Sequence, residues 1–182
     1  MPMIAIASIW MFIYMAKNGL LDQMLISMGL QPMNILSSKK TVLPAMAFMY
    51  VWKEAGYLMV FFLSGIQSIS TDVNEAARID GANSWTIFRK ITLPLLAPTF
   101  LFVSTIALTN SFKLFDQNVA LTAGEPANAS EMLALNIYNT FYGRSGAQWK
   151  GIGQAKAAVF FLIVVVISLI QLKFTRPKEV PQ

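Results

Sequence analysis

Residues 74–98 read NEAARIDGANSWTIFRKITLPLLAP. The stretch is polar at its start and amphipathic after that, and apolar runs flank it on both sides. Its local chemistry is that of two short helices around a turn. Asp72 can cap the first helix, with Glu75 three residues on as the reciprocal partner, a capping box with Asp in the Ser/Thr place. Ala76 and Ala77 favour helix and leave room for close docking. Gly81 can take the left-handed conformation that ends a helix. Ser84 can cap a second helix that carries Trp85, Phe88 and Ile91 and stops before Pro94. Two roles fit this pattern: a connector lying on a membrane surface, or an element that docks on another protein.

Outward from this loop, the flanks read as membrane. Residues 41–66 form an apolar span, with Pro44 in its first turn, where a missing N–H costs little. Lys53 and Glu54 interrupt it near the middle. A charge at the centre of a bilayer helix costs about 2.5–3.5 kcal/mol, so these two should face protein or water. On the other side of the loop, Pro94 and Pro98 open a span over 94–120 whose far end turns polar at Asn110, Ser111, Lys113, Asp116, Gln117 and Asn118. Residues 121–146 read as a loop holding one helix, about Ser130 to Tyr142. Residues 147–172 form the last span. Gly151, Gly153, Ala155 and Ala157 near its start allow close helix approach in lipid. Residues 1–16 are apolar but too short to cross about 30 Å of hydrocarbon, so they read as an interfacial helix or part of a span, of which part of a span is favoured. Residues 17–40 are a loop with an amphipathic piece around 20–30, where Leu21, Leu25 and Met28 share a face. The tail 173–182 is polar and basic.

Composition agrees. The chain has 182 residues, 55% hydrophobic and 13% charged, with mean hydropathy +0.55. Soluble domains carry nearer a quarter charged residues. The formal charge of +5 is spread without a run or stripe, which speaks for basic loops beside membrane spans and against nucleic acid.

Several chemistries are excluded. The chain contains neither cysteine nor histidine, so disulfides, thiol nucleophiles and the usual zinc sets are absent. No G-x-x-x-x-G-K-[ST] motif is present to cradle a nucleotide phosphate. Gly151-Ile152-Gly153 opens no βαβ unit and reads as packing glycine. Lys113 and Asp116, three apart, could share a helix face, but nothing supports them as an acid–base pair. No catalytic residue, metal or cofactor is expected.

The series Glu75-Ala76-Ala77, Asp80-Gly81-Ala82, Phe88, Ile91, Leu93-Pro94 and Pro98 closely resembles the EAA loop of binding-protein-dependent ABC importer permeases. The version with Asp-Gly-Ala is most familiar from permeases for sugars and related solutes. The resemblance implies an all-α, polytopic helical bundle of the type I importer class in a bacterial inner membrane. It implies that 67–93 is cytoplasmic and that its first helix couples to a separate ABC ATPase through Glu75, Ala76, Ala77, Asp80, Gly81 and Ala82. The loops 17–40 and 121–146 then lie outside, and the tail inside. Partners implied are the ATPase, a second permease subunit (related or identical), an extracytoplasmic solute-binding protein and the bilayer. Pro2 and Trp10 resemble the start and end of the family's third span, which implies two further spans upstream. Other solutes, such as polyamines or phosphate, and a truncated remnant or membrane scaffold stay open as alternatives.

Charge does not orient the chain by itself. The side of the 67–93 loop carries Arg78, Arg89, Lys90, Lys173, Arg176 and Lys178; the other carries Lys17, Lys39, Lys40, Arg144 and Lys150. Six against five is no bias under the positive-inside rule. The translocation path should be lined by polar and aromatic residues of the spans, with Trp52, Lys53, Glu54, Asn110, Lys113 and Asp116 as candidates. Trp52, Tyr57, Phe112 and Phe115 offer rings on which a sugar could stack.

Overall fold

The computed structural model describes residues 2–175, and among them helices are the only regular secondary structure. The helices are α1 (Met3–Tyr14), α2 (Leu20–Ser27), α3 (Val42–Gln67), α4 (Thr71–Ile79), α5 (Ser84–Ile87), α6 (Leu93–Leu95), α7 (Ala97–Phe112), α8 (Asp116–Leu121), α9 (Leu133–Tyr142) and α10 (Ala147–Thr175). A single π-helical turn, Phe88–Thr92, joins α5 to α6. Residues 176–182 of the expected tail lie outside the described residues.

Two helices, Val42–Gln67 and Ala147–Lys173, are long and apolar enough to cross a bilayer; a third crossing arises if the bent pair Ser84–Leu95 and Ala97–Phe112 acts as one. At 1.5 Å per residue, α3 extends about 39 Å and α1 only about 18 Å, so α3 passes the hydrocarbon length and α1 does not.

The expected span over 94–120 is divided in the structure. Its helix bends by 61° at Leu96 and stops at Phe112, and α8 begins separately at Asp116. The bend follows from Pro98, whose ring meets the carbonyl four residues earlier and which has no N–H to donate. The expected stop before Pro94 also does not occur. The chain passes through Pro94 in helical conformation, with the wider π turn immediately before it.

The chain forms two compact units. One comprises residues up to Lys53 together with 111–164; the other comprises 54–110 together with α10 from Val165. In the first, the apolar face of α1 (Ile6, Ala7, Trp10 and Tyr14) packs with Val42, Ala45, Met46 and Met49 of α3 and Leu121 of α8. The Trp10 ring meets Phe48 and Trp52 edge-on, each at 5.5 Å, and the Tyr14 hydroxyl donates to the Ala45 carbonyl at 3.1 Å. Around α2, the buried Asp22 carboxylate accepts from the Lys17 and Met33 amides at 2.6 and 2.9 Å. Leu21 and Leu25 are half-buried as their spacing predicts, whereas Met28 is exposed.

Asn118 knots the loop after α8. Its side chain is fully buried; Nδ2 donates to the Ser130 carbonyl at 2.8 Å, and Oδ1 accepts from the Met132 amide at 2.9 Å. The loop it closes has left-handed backbone at Ala123, Gly124, Ala127 and Asn128 and a cis peptide bond at Glu125–Pro126. Among the small residues of α10, Gly153 makes the close approach: a Cβ there would lie 3.0 Å from Phe141 Cβ of α9.

In the second unit, Phe62 packs on Phe100 at 4.8 Å and Phe61 on Phe102 at 5.3 Å. Gln171 Nε2 donates to the Ser104 and Thr105 hydroxyls at 2.9 and 3.1 Å, a polar contact of the kind that holds helices together in lipid.

Candidate functional site

The 70–93 loop is built from local hydrogen bonds. Ser70, not Asp72, caps α4: its hydroxyl accepts from the Asp72 amide at 3.2 Å. Asn83, not Ser84, caps α5, accepting at Oδ1 from the Thr86 amide at 2.8 Å. In each case a competent cap stands one or two residues earlier than expected, and the helix starts from it.

Gly81 behaves as its sequence predicts, at φ +81°. The Ala82 amide donates to the Ala77 carbonyl at 2.9 Å and the Gly81 amide to the Arg78 carbonyl at 3.0 Å. These are the two bonds of a Schellman motif, and they satisfy carbonyls that the end of α4 would otherwise leave open. Glycine takes this φ at no steric cost, whereas a β-branched side chain strains it.

What the loop presents is unusual for so short a segment. No residue of α4 is buried. Glu75, Ala76, Asp80 and Gly81 are exposed, and Ala77 and Ala82 are half-buried. Ile79 is 87% and Trp85 66% exposed, and Trp85 stacks on Phe88 at 5.7 Å. Ile87 is the buried anchor of the second helix. Beside these, Asn74, Arg78, Ser84, Ile87, Phe88 and Thr92 line a cleft of about 230 Å³. A helix with small residues at Ala76 and Ala77, an exposed carboxylate and uncovered apolar rings is suited to seating in a complementary surface.

The other candidates are placed less uniformly. Trp52 is exposed beyond its edge contact with Trp10. Lys53 is half-buried, and Glu54 is 5% exposed. Asn110 is half-buried near the end of α7. Lys113 and Asp116 are both exposed, but they do not share a helix face: Lys113 follows the end of α7 and Asp116 is the first residue of α8. The polar far end of the expected span contains a break between two helices.

Sequence reasoning missed a polar network in the first unit. Lys156, inside the last span, donates to Asn136 Oδ1 at 2.7 Å and to the Thr140 hydroxyl at 2.8 Å. Asn136 and Asn139 in turn donate to the two Glu131 carboxylate oxygens at 2.9 and 2.7 Å. A lysine within a span was the available signal. Next to this network Ser111, Phe112, Glu131, Asn136 and Phe160 help line a cavity of about 520 Å³, within the range of small-molecule sites. Among the described residues no group of three or more acidic residues could hold a metal ion.

Residues 1–176 match the model of the family described as binding-protein-dependent transport system inner membrane component. The chain belongs to that family. This permease chain is 48% identical, over 80% of its length and 49% of the relative's, to the probable starch degradation products transport system permease protein AmyD of Thermoanaerobacterium thermosulfurigenes. It is 32% identical, over 96% of its length and 58% of the relative's, to the trehalose/maltose transport system permease protein MalF of Thermococcus litoralis. Among solved structures it resembles a chain of the bacterial alginate ABC transporter in complex with alginate pentasaccharide-bound periplasmic protein. That match has a TM-score of 0.84 at 24% identity and covers 97% of this chain and 60% of the other. The permease chain therefore spans roughly half to three-fifths of the length of these proteins. The fold is that of an all-α type I importer permease, a helical membrane protein, as the EAA resemblance implies.

Proposed function

We propose that the chain is a transmembrane permease subunit of an ABC importer for a sugar or oligosaccharide, forming half of a translocation pathway in a bacterial inner membrane. The observation that carries this reading is the 70–93 loop: an α4 with no buried residue, stopped by Gly81 at φ +81°, in a chain of the permease family. The loop faces the cytoplasm and seats on a separate ATPase through Glu75, Ala76, Ala77, Asp80, Gly81 and Ala82. The 17–40 and 121–146 loops face outward, where a soluble binding protein delivers solute. A second permease, related or identical, completes the pathway. ATP hydrolysis belongs to the partner, and this chain serves transport rather than catalysis.

Carbohydrate is favoured because two relatives carry names for starch degradation products and for trehalose and maltose, and the structural neighbour is described with an alginate pentasaccharide. Trp52, Lys53, Glu54, Asn110, Lys113 and Asp116 are the candidate side chains for the route. The cavity at Phe112, Glu131, Asn136 and Phe160 adds hydroxyl-binding groups next to rings.

The test is co-expression of the full permease with its neighbouring ATPase and permease genes, followed by affinity purification in detergent. Recovery of the ATPase with the permease, and its loss in Glu75→Lys, is expected. A permease that purifies alone and carries no ATPase under any nucleotide condition overturns the reading.

A further inference from the structure

Around α9 in the first unit, four aromatic rings follow one another in contact. Phe115, Tyr138, Phe141 and Tyr142, with Gly153, Gln154 and Ala157, line an open hollow of about 420 Å³. Ring centroids run from Phe115 to Tyr138 at 5.1 Å, from Tyr138 to Tyr142 at 5.0 Å, and from Tyr142 to Phe141 at 4.7 Å. Tyr138 and Tyr142 are one helical turn apart and so share a face of α9. They are 47% and 70% exposed, while Leu135 and Thr140 are the buried residues of that helix. The two tyrosine rings are therefore not spent on the core, while Phe115 and Phe141 are half-buried. Gly153 is what sets α10 close beside them, since a Cβ there would press on Phe141. Gln154, its neighbour, adds an amide to the lining.

We propose that this row is a stacking track for the pyranose rings of an oligosaccharide, placed ahead of the polar cavity at Glu131 and Asn136. The proposal rests on the importer reading and adds a second contact surface to it. A pyranose has an apolar C–H face and an edge of hydroxyls. Aromatic rings attract the first through the negative potential of their faces. Two phenol hydroxyls and a primary amide can exchange hydrogen bonds with the second. A row of rings about one sugar unit apart fits a chain of pyranoses better than a single ring. The hollow's volume lies within the range of small-molecule sites. Tyrosines at a membrane interface also anchor helices, but such anchors need neither a contiguous row nor an amide beside it.

The test is uptake of a malto-oligosaccharide panel (maltose, maltotriose, maltotetraose) by the complete importer, with Tyr138→Leu and Tyr142→Leu compared with Tyr138→Phe and Tyr142→Phe. Tyr142 is the last residue of α9 and mostly exposed, so its replacement acts at the exposed end of the ring row and not in the core. The Leu variants should raise KM for the longer sugars roughly three- to tenfold at little change in maximal rate. The Phe variants keep the ring and should stay within about twofold of wild type. A wild-type importer that takes up none of the panel overturns the carbohydrate reading and the track with it. Uptake by the wild type with KM unmoved in both Leu variants overturns the track alone and leaves the hollow to lipid. Equal losses in the Phe and Leu variants overturn stacking.

Discussion

Gly65 of α3 lies so close to Thr99 of α7 that a Cβ on the glycine would stand 2.5 Å from the threonine hydroxyl oxygen. Leu96 Cδ2 would be 3.0 Å from the same atom. The two helices enclosing the 67–93 loop are therefore drawn together at its base by the absence of a single carbon. Gly65 lies two residues before the end of α3, and Leu96 marks the bend before α7.

Replacing Gly65 by valine should therefore separate these helices. Overpacking of this kind costs about 1–3 kcal/mol. We expect Gly65→Val to insert normally, because valine is apolar, but to lower the detergent melting temperature and weaken ATPase retention. Gly56→Ala in the same helix meets nothing within 4 Å and serves as the control. Differential scanning fluorimetry of the two variants checks the difference; equal melting temperatures would remove Gly65 as the joint.

Asn118 should matter more than its charged neighbour Asp116. Asn118→Ala leaves the Met132 amide and the Ser130 carbonyl without the partner they have now, at about 1–3 kcal/mol for each group left buried and unpaired. Asp116→Ala removes an exposed side chain and should stay within about 0.5 kcal/mol. Thermal stability of the purified subunit, with limited proteolysis of the 121–131 loop, distinguishes them. An Asn118→Ala protein as stable and as protease-resistant as Asp116→Ala contradicts the role given to the asparagine.

The proposed topology is open to single-cysteine labelling, since the chain has no native cysteine. Ile79 and Glu125 are exposed, on the 67–93 and 121–146 loops. An impermeant maleimide applied to intact cells should label Glu125→Cys and leave Ile79→Cys unlabelled until the membrane is permeabilised. Labelling of both from outside, or of Ile79→Cys alone, contradicts the layout.

What the sequence made legible was what depends on neighbours in the chain. Gly81 reads as a helix stop because glycine takes positive φ without steric cost, and the structure places it at +81°. The α9 helix and the close packing at Gly153 were also legible. The caps were misplaced by one or two residues because Ser70, Asp72, Asn83 and Ser84 are all competent, and local pattern does not rank them. Pro94 was read as a stop because an α-helix cannot accommodate it in its interior, whereas a π turn placed before it can. Asn118 and Lys156 were out of reach for another reason. Their partners are 12 to 20 residues away, and a polar residue in an apolar run does not announce what it bonds.

The central claim is that α4 transmits force to a partner, and Gly81 tests it most directly. Within this chain a Cβ at Gly81 meets no atom within 4 Å. The first carbon of a larger residue therefore meets open space in this chain, and a docked protein is the surface it would press on. Asparagine tolerates positive φ, so Gly81→Asn keeps the turn and adds only bulk; Gly81→Val adds bulk and backbone strain of roughly 1 kcal/mol or more. The measurement is ATP hydrolysis by the reconstituted importer, with and without solute-loaded binding protein. The account predicts that both variants assemble in the membrane, that solute stimulation falls in Gly81→Asn, and that it is lost in Gly81→Val. Wild-type stimulation in both variants would contradict it and reduce the loop to a connector.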